Sequence, residues 1–394
     1  MRIHTVKPSE TLTDIAKAYG ISEENLIYTN SYGIKKAAIG EEMLILTPTR
    51  TYVLKKNDTI ERLCLRFRTR KSDILSQNPW IIKDGLIPGR SVVLKYDDKT
   101  HGTAAANGYF YSGCDIGKLK MSIPYLTYVT VGCSVSDKDG VYQIFDDGEI
   151  MSIINAENKI PLLRIYDAYK GRKYDDKSLN TKYINNMIQL AKTRGYMGIV
   201  LSCAGDVNSE SFCEFVVEFK KSLLGCDLIL LIEMDEKSSY ALSDFTDGCV
   251  LSYQKNFEEE SIDFDNGERK VYSDFACFGE CAKTFIEIPA LARGEDNIYM
   301  SKDEAIELAR KNRAEISTDP ISKISYFDDK THGRISFASL ENIKAVLNLI
   351  EEYGYMGIAF DIDKTPLSHL LMYNACFRTA IYTSVKTSDG CAGS

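Results

Sequence analysis

The sequence predicts an α/β protein: a (β/α)8 barrel of the TIM type preceded by two small βααβ units. Three observations carry this expectation. A unit of about 45 residues occurs twice at the front, at an offset of 48. A small, polar stretch, "KYDDKTHGTAAANG", then ends that pattern. Behind it, eight short apolar runs alternate with amphipathic stretches to the end of the chain.

The front repeat aligns "HTVKPSETLTDIAKAYGISEENLIYTNSYG" with "YVLKKNDTIERLCLRFRTRKSDILSQNPWI". Thr11 matches Thr59, Leu12 matches Ile60 and Asn30 matches Asn78. In each unit small polar residues precede an apolar helical stripe, the signature of a capped helix start. Leu12, Ile15, Ala16 and Tyr19 recur at helical spacing, as do Ile60, Leu63, Cys64 and Phe67. Gly40 and Gly89 mark turns into closing strands, "EMLIL" and "SVVL". The expected divisions are a first unit over 1–48, a second over 49–96, a linker over 97–106, a barrel over 107–385 and a tail over 386–394.

Charge divides the chain unevenly. Residues 50–96 hold 11 Lys+Arg against 4 Asp+Glu, whereas the whole chain has a net charge of -8. A basic unit on an acidic body points either to an anionic partner or to a solvated positive face.

The eight apolar runs are "NGYFYS", "LTYVTVGCSV", "IPLLRIYD", "MGIVLSCA", "DLILLIEMD", "GCVLSYQK", "KTFIEIPALA" and "MGIAFDID". Helical stretches such as "TKYINNMIQLAKTRG" and "SLENIKAVLNLIEEYG" separate several of them. The fourth and eighth are twins: "RGYMGIVLSCAG" (194–205) returns as "YGYMGIAFDIDK" (353–364). The eighth ends in Asp361 and Asp363; the fourth has Ser202 and Ala204 at the same offsets. Chemistry in such barrels sits at C-terminal strand ends, so this contrast bears on function. Asp167, Glu233, Asp235 and Glu287 also lie at or near strand ends.

Other classes are set aside by composition. No apolar run approaches 18 residues, so no membrane span is expected. "MRIHTVKPSETL" lacks the apolar core of a signal peptide. Eleven cysteines, scattered and odd in number, do not form a disulfide framework. "CFGEC" (Cys277, Cys281) has no second Cys or His pair at ligand spacing, and only four His exist. No metal, cofactor, nucleic acid or membrane partner is expected.

The two front units resemble LysM domains, the second more closely through "YVLKKNDTIERLCLRF", "ILSQNP" and "LIPGRSVVL". The resemblance implies binding of N-acetylglucosamine-containing glycans, peptidoglycan or chitin. The sugar would lie between the loop after the first strand and the loop after the second helix. The implied glycan residues are Ser9, Thr11, Asn30 and Ser31 in the first unit, and Asn57, Asp58, Thr59, Asn78, Trp80 and Ile81 in the second. Trp80, the single tryptophan, would either stack on a sugar or pack between the units.

The barrel resembles family 18 glycoside hydrolases, in the branch fused behind LysM repeats in spore-forming bacteria. "LTYVTVGCSVSDKDG" corresponds to the second strand and its loop; "YMSKDEAIELARKNRAEISTDPISKISYFDD" is similar to an insertion after the seventh. That family carries D-x-x-D-x-D-x-E on its fourth strand, where the glutamate protonates the leaving oxygen and the aspartate orients the substrate's acetamido group. Here those positions are Met197, Val200, Ser202 and Ala204. Gln254 replaces the carboxylate beside Tyr253, and Asp361 aligns with the tryptophan that floors the sugar site. The expectation is therefore a spore-associated, glycan-binding pseudoenzyme made in the mother-cell cytosol and deposited at the spore coat or cortex. One alternative is an active N-acetylglucosaminidase using Asp361, Asp363 and Tyr253. Another is a structural coat-assembly protein contacting other proteins of the spore layers.

Overall fold

A computed structural model describes residues 1–30, 36–96, 102–136, 142–143, 146–167, 174–203, 209–234, 240–252 and 280–380. The first unit pairs strands Arg2–Thr5 and Glu42–Ile45 antiparallel around helices Leu12–Tyr19 and Glu23–Asn30. The second pairs Pro48–Val53 with Ser91–Tyr96 around helices Ile60–Phe67 and Lys71–Gln77, and adds a short helix, Trp80–Asp84. The polar residues ahead of each stripe do cap. The Thr11 side chain accepts from Asp14 N–H in a reciprocal capping box, and Thr59 accepts from Arg62 N–H.

The closing strands bury both faces. Met43 and Ile45 enter the first unit's own core with Leu12 and Ile15, while Leu44 and Leu46 enter the barrel's helical layer. In the second unit Val92 faces inward and Val93, with Tyr96, joins the barrel layer. Period-two alternation explains the split. At the turn into the first closing strand, Gly40 has φ +79°, and a Cβ there would stand 1.8 Å from the Ile316 carbonyl oxygen. Only glycine fits that approach. Next to it the buried Glu41 is held by Arg310, with Nη2–Oε1 at 2.5 Å and Nε–Oε2 at 2.9 Å.

Eight parallel strands close the barrel: Thr103–Phe110, Tyr128–Ser136, Ile160–Asp167, Gly198–Cys203, Ile229–Met234, Gly248–Leu251, Thr284–Glu287 and Gly357–Asp361. The eighth pairs with the first (Gly357 with Ala105), and the first pairs with the second (Asn107 with Tyr128). Each coincides with one of the eight apolar runs, and the first begins at Thr103, within the stretch expected as linker. The interior is packed by Tyr128, Leu162, Val200, Leu231, Val250 and Phe285 among others. Between the seventh and eighth strands an antiparallel five-stranded sheet and helix Lys302–Asn312 form an insertion. The described chain ends with helix Leu367–Cys376 and strand Arg378–Thr379, which pairs beside the start of the first barrel strand.

Candidate functional site: the barrel mouth and the two front modules

Alternation along the third, fourth and fifth strands brings Arg164, Ser202 and Glu233 together inside the mouth. Arg164 forks onto Glu233, Nε to Oε1 at 2.6 Å and Nη2 to Oε2 at 2.7 Å, and Nη2 also donates to Ser202 Oγ at 3.0 Å. Both partners are mostly shielded, with 14% and 18% of their side chains exposed. Such a bidentate pair fixes geometry as well as charge. Although burial opposes its charge, the guanidinium is held fully protonated by Glu233. The Arg164 guanidinium also lies over Tyr111 and Tyr166, 5.7 and 5.3 Å from the ring centroids, and Tyr111 stacks on Tyr109 at 6.1 Å. The Tyr109 hydroxyl is buried with no hydrogen-bonding partner among the described residues.

The fourth strand presents no acid among its described residues. Val200 is fully buried in the interior layer, and Ser202, 8% exposed, is taken by Arg164. Met197 lies half exposed at the opposite end of the strand. Ala204, Tyr253 and Gln254 lie outside the described residues, as do Asp235, Cys277 and Ser31.

The acids of the eighth strand do not point together into the mouth, as simple alternation suggests. The strand ends at Asp361, and the chain then turns. Asp361 Oδ1 accepts from the N–H groups of Asp363 and Lys364 at 2.8 and 3.1 Å, and burial raises its carboxyl above the ordinary range. Asp363 pairs at the rim with Lys118 at 3.2 Å and Lys364 at 3.0 Å. Partial burial would raise Asp363, but its hydrogen bonds and charge contacts with the two lysines outweigh this and lower it. Asp167 is buried and accepts from the Tyr183 hydroxyl at 3.2 Å.

Glu287 differs from all of these. Burial pushes its carboxyl up to about 7; Glu233 and Asp361 add to the rise, while a hydrogen bond with Ser252 and the charge of Arg164 oppose it. It is the mouth carboxyl poised to hold a proton near neutrality. Sequence reasoning placed Glu287 and Glu233 at strand ends but missed Arg164. The available signal was a single cation in the apolar run "IPLLRIYD", on the same alternating face as Leu162.

In the front modules the expected glycan residues separate into two groups. Asn30 and Asn78 serve the fold. Each amide donates to the carbonyl four residues back and bridges to its closing strand, through Leu44 and Val93 respectively. Trp80 and Ile81 are 5% and 6% exposed in the second module's core. The Arg90 guanidinium covers the Trp80 ring at 3.9 Å and reaches Tyr28 of the first module at 4.7 Å. The arrangement therefore has Trp80 packing where the modules meet, with no open ring face for a sugar on the side that Arg90 covers. Ser9, Thr11, Asn57 and Thr59 remain exposed on the first loops, with Asp58 half-buried beside them. Thr11 and Thr59 are already engaged as helix caps, and Asp58 accepts from Lys55 N–H at 2.7 Å.

Comparison with known proteins matches this architecture part by part. Residues 4–39 and 52–95 match the LysM domain family model. Across 97% of this chain and 99% of the other, the fold resembles the spore cortex-lytic enzyme SleL of Bacillus megaterium, with a TM-score of 0.74 and 19% identity. A class V chitinase from Nicotiana tobaccum, solved in complex with NAG4, superposes on 69% of this chain and 98% of its own, with a TM-score of 0.59 and 12% identity. YdhD of Bacillus subtilis strain 168, which carries the name of a sporulation-specific glycosylase, is 22% identical over 259 residues. That match covers 61% of this chain and 59% of YdhD, so the chain spans well under two thirds of that relative. At these identities the likeness to the solved structures is one of fold: LysM modules ahead of a glycoside hydrolase-like barrel. No helix among the described residues is long and apolar enough to cross a membrane.

Proposed function

We propose that, with LysM modules and a hydrolase-like barrel as its parts, the chain binds N-acetylglucosamine-containing glycan and does not cut it. The observation that carries this reading is the ion pair in the mouth. Substrate-assisted hydrolysis needs a proton donor and an orienting carboxylate on the fourth strand. In this sequence Ala204 stands at the donor position and Ser202 at the orienting position, and Ser202 is bound to a guanidinium that carries its charge permanently. Both Glu233 oxygens are engaged by the same guanidinium. Loss of a general acid alone costs roughly 10²–10⁴-fold in rate.

The spore-related names of the relatives support a place on the spore surface, at coat or cortex, with peptidoglycan as the glycan. The first-loop residues Ser9 and Asn57, exposed, and Asp58, half-buried, are the candidate contacts. Asn30, Asn78, Trp80 and Ile81 act behind them as framework. The test is co-sedimentation of the full chain with insoluble cortex peptidoglycan and with chitin, alongside mass spectrometry of soluble muropeptides incubated with it. Binding without new products supports the reading; absence of binding to both polymers refutes it.

One observation favours a second reading. Glu287 has a carboxyl raised to about 7, the range in which a general acid works. An N-acetylglucosaminidase rebuilt around Glu287 would release N-acetylglucosamine, and Glu287→Gln would abolish the release.

A further inference from the structure

The basic charge of residues 50–96 is not absorbed by glycan binding through the first loops, and the structure shows how it is distributed. Arg70 is paired with Asp73, Lys71 with Glu157, and Arg90 with Glu24 and Asp84. Arg66 lies over Tyr52 and Arg50 over Phe67. Arg68 and Lys95 have no such partner among the described residues. They converge with Arg378, from the C-terminal strand, on one cleft of about 980 Å³ between the second module and the barrel.

Three features make this cleft a site for an anionic, peptide-like ligand. First, none of the three cations has a side-chain ion pair or hydrogen bond among the described residues, and all are exposed. The sole acid lining the cleft among the described residues, Asp73, is committed to Arg70 through contacts of 2.6–3.0 Å. Like charges gathered on one surface raise the local concentration of anions. Second, their backbones are fixed. Arg68 ends helix Ile60–Phe67 in the left-handed region at φ +53°, Lys95 lies in a paired strand, and Arg378 pairs in register with Thr103. Third, the lining combines apolar side chains with polar groups that carry no charge of their own. The Gln77 Oε1 atom is buried with no partner among the described residues, and Thr69 and Asn374 also line the cleft. An unmet buried acceptor takes an N–H donor, which a peptide supplies and a phosphate polymer does not.

Thr103 is the first residue of the first barrel strand, so the cleft lies at the opposite end from the mouth. Its volume is at the upper end of the range for small-ligand sites, about 300–1,000 Å³, and suits a short peptide. We propose that it binds the carboxylate-bearing stem peptides of a peptidoglycan strand, with Arg68, Lys95 and Arg378 facing the carboxylates and Gln77 accepting from a peptide N–H. This rests on the reading that the chain binds N-acetylglucosamine glycan, and it specifies peptidoglycan over neutral chitin.

Calorimetric titration of the full chain tests it with four probes: an N-acetylglucosamine tetramer, soluble peptidoglycan strands with stems, the same strands with stems removed, and a glycerol phosphate polymer. Stem-bearing strands should bind about tenfold more tightly than stripped strands, with an advantage that shrinks as salt rises. The triple variant Arg68→Gln, Lys95→Gln, Arg378→Gln should lose that advantage and its salt dependence, with the melting temperature and tetramer affinity unchanged. Equal binding of stem-bearing and stripped strands, or an unaltered triple variant, overturns the proposal. Phosphate polymer binding as tightly as the stems, and lost in the same variant, overturns the stem assignment in favour of charge alone. If the wild type does not bind the tetramer, the glycan reading beneath the proposal fails first, and the proposal fails with it.

Discussion

Two charged residues of the barrel mouth, Glu287 and Arg164, can each be addressed singly. Glu287 has a folded-state carboxyl raised to about 7 against an ordinary value of 4.5. The folded chain therefore holds that proton more tightly than the unfolded chain does. Between about pH 4.5 and 7 stability should fall as pH rises, and above 7 the full penalty, up to ~3 kcal/mol, should be present. Glu287→Gln should flatten the stability profile in that window and melt higher than the wild type at pH 8, which urea titrations at a series of pH values can measure. Arg164 makes the converse prediction. Arg164→Met leaves Glu233 shielded and unpaired, at a cost of ~3–5 kcal/mol, while Arg164→Met with Glu233→Met should regain most of that loss. Chemical denaturation of the three proteins checks this as a double-mutant cycle.

At the scale of elements, the fourth strand packs as a member of the barrel and presents no acid among its described residues. Restoring the acids by Ser202→Asp with Ala204→Glu should not restore hydrolysis. A carboxylate at position 202 meets Arg164 Nη2, which now stands 3.0 Å from the serine oxygen, and pairs with it. The expected outcome is unchanged or higher stability and no release from a chromogenic N-acetylglucosamine dimer. Elements were also the scale at which the sequence was most legible. Eight apolar runs became eight strands, because strands buried on both faces read as continuous apolar segments. The capping threonines were equally visible, because a cap depends on a few neighbouring residues. The extra helix Trp80–Asp84 was not visible, since "NPWIIKDG" is too short to show a helical period. Nor were the roles of Asn30 and Asn78. Their repetition at an offset of 48 identifies a shared role but not whether the partner is a sugar or the module's own closing strand.

For the whole molecule, the front modules and the barrel share one core. Leu44, Leu46, Val93 and Tyr96 lie in the same apolar cluster as the barrel helices, and Glu41 is clamped by Arg310 of the insertion. The clue was present in "EMLIL", where consecutive apolar residues on a short strand require two covered faces. What covers the second face is a long-range contact that periodicity cannot name. Scanning calorimetry should accordingly show one cooperative transition, and a separate early transition for the front modules would contradict the shared core. The ion pair that ties Arg164 to Glu233 belongs to this scale as well, because three successive strands, separated in sequence by helices, must align side by side before those groups meet. It was therefore invisible as a contact, although the missing acids beside it were plain.

The most direct test of the account is a search for product. Purified full-length protein is incubated with soluble cortex muropeptides across pH 5 to 8, and the mixture is analysed by mass spectrometry beside a Glu287→Gln control. The account predicts unchanged muropeptides at every pH for both proteins, with the glycan bound and recovered intact. Release of N-acetylglucosamine by the wild type that disappears in Glu287→Gln would contradict it and establish a glycosidase rebuilt around a different acid.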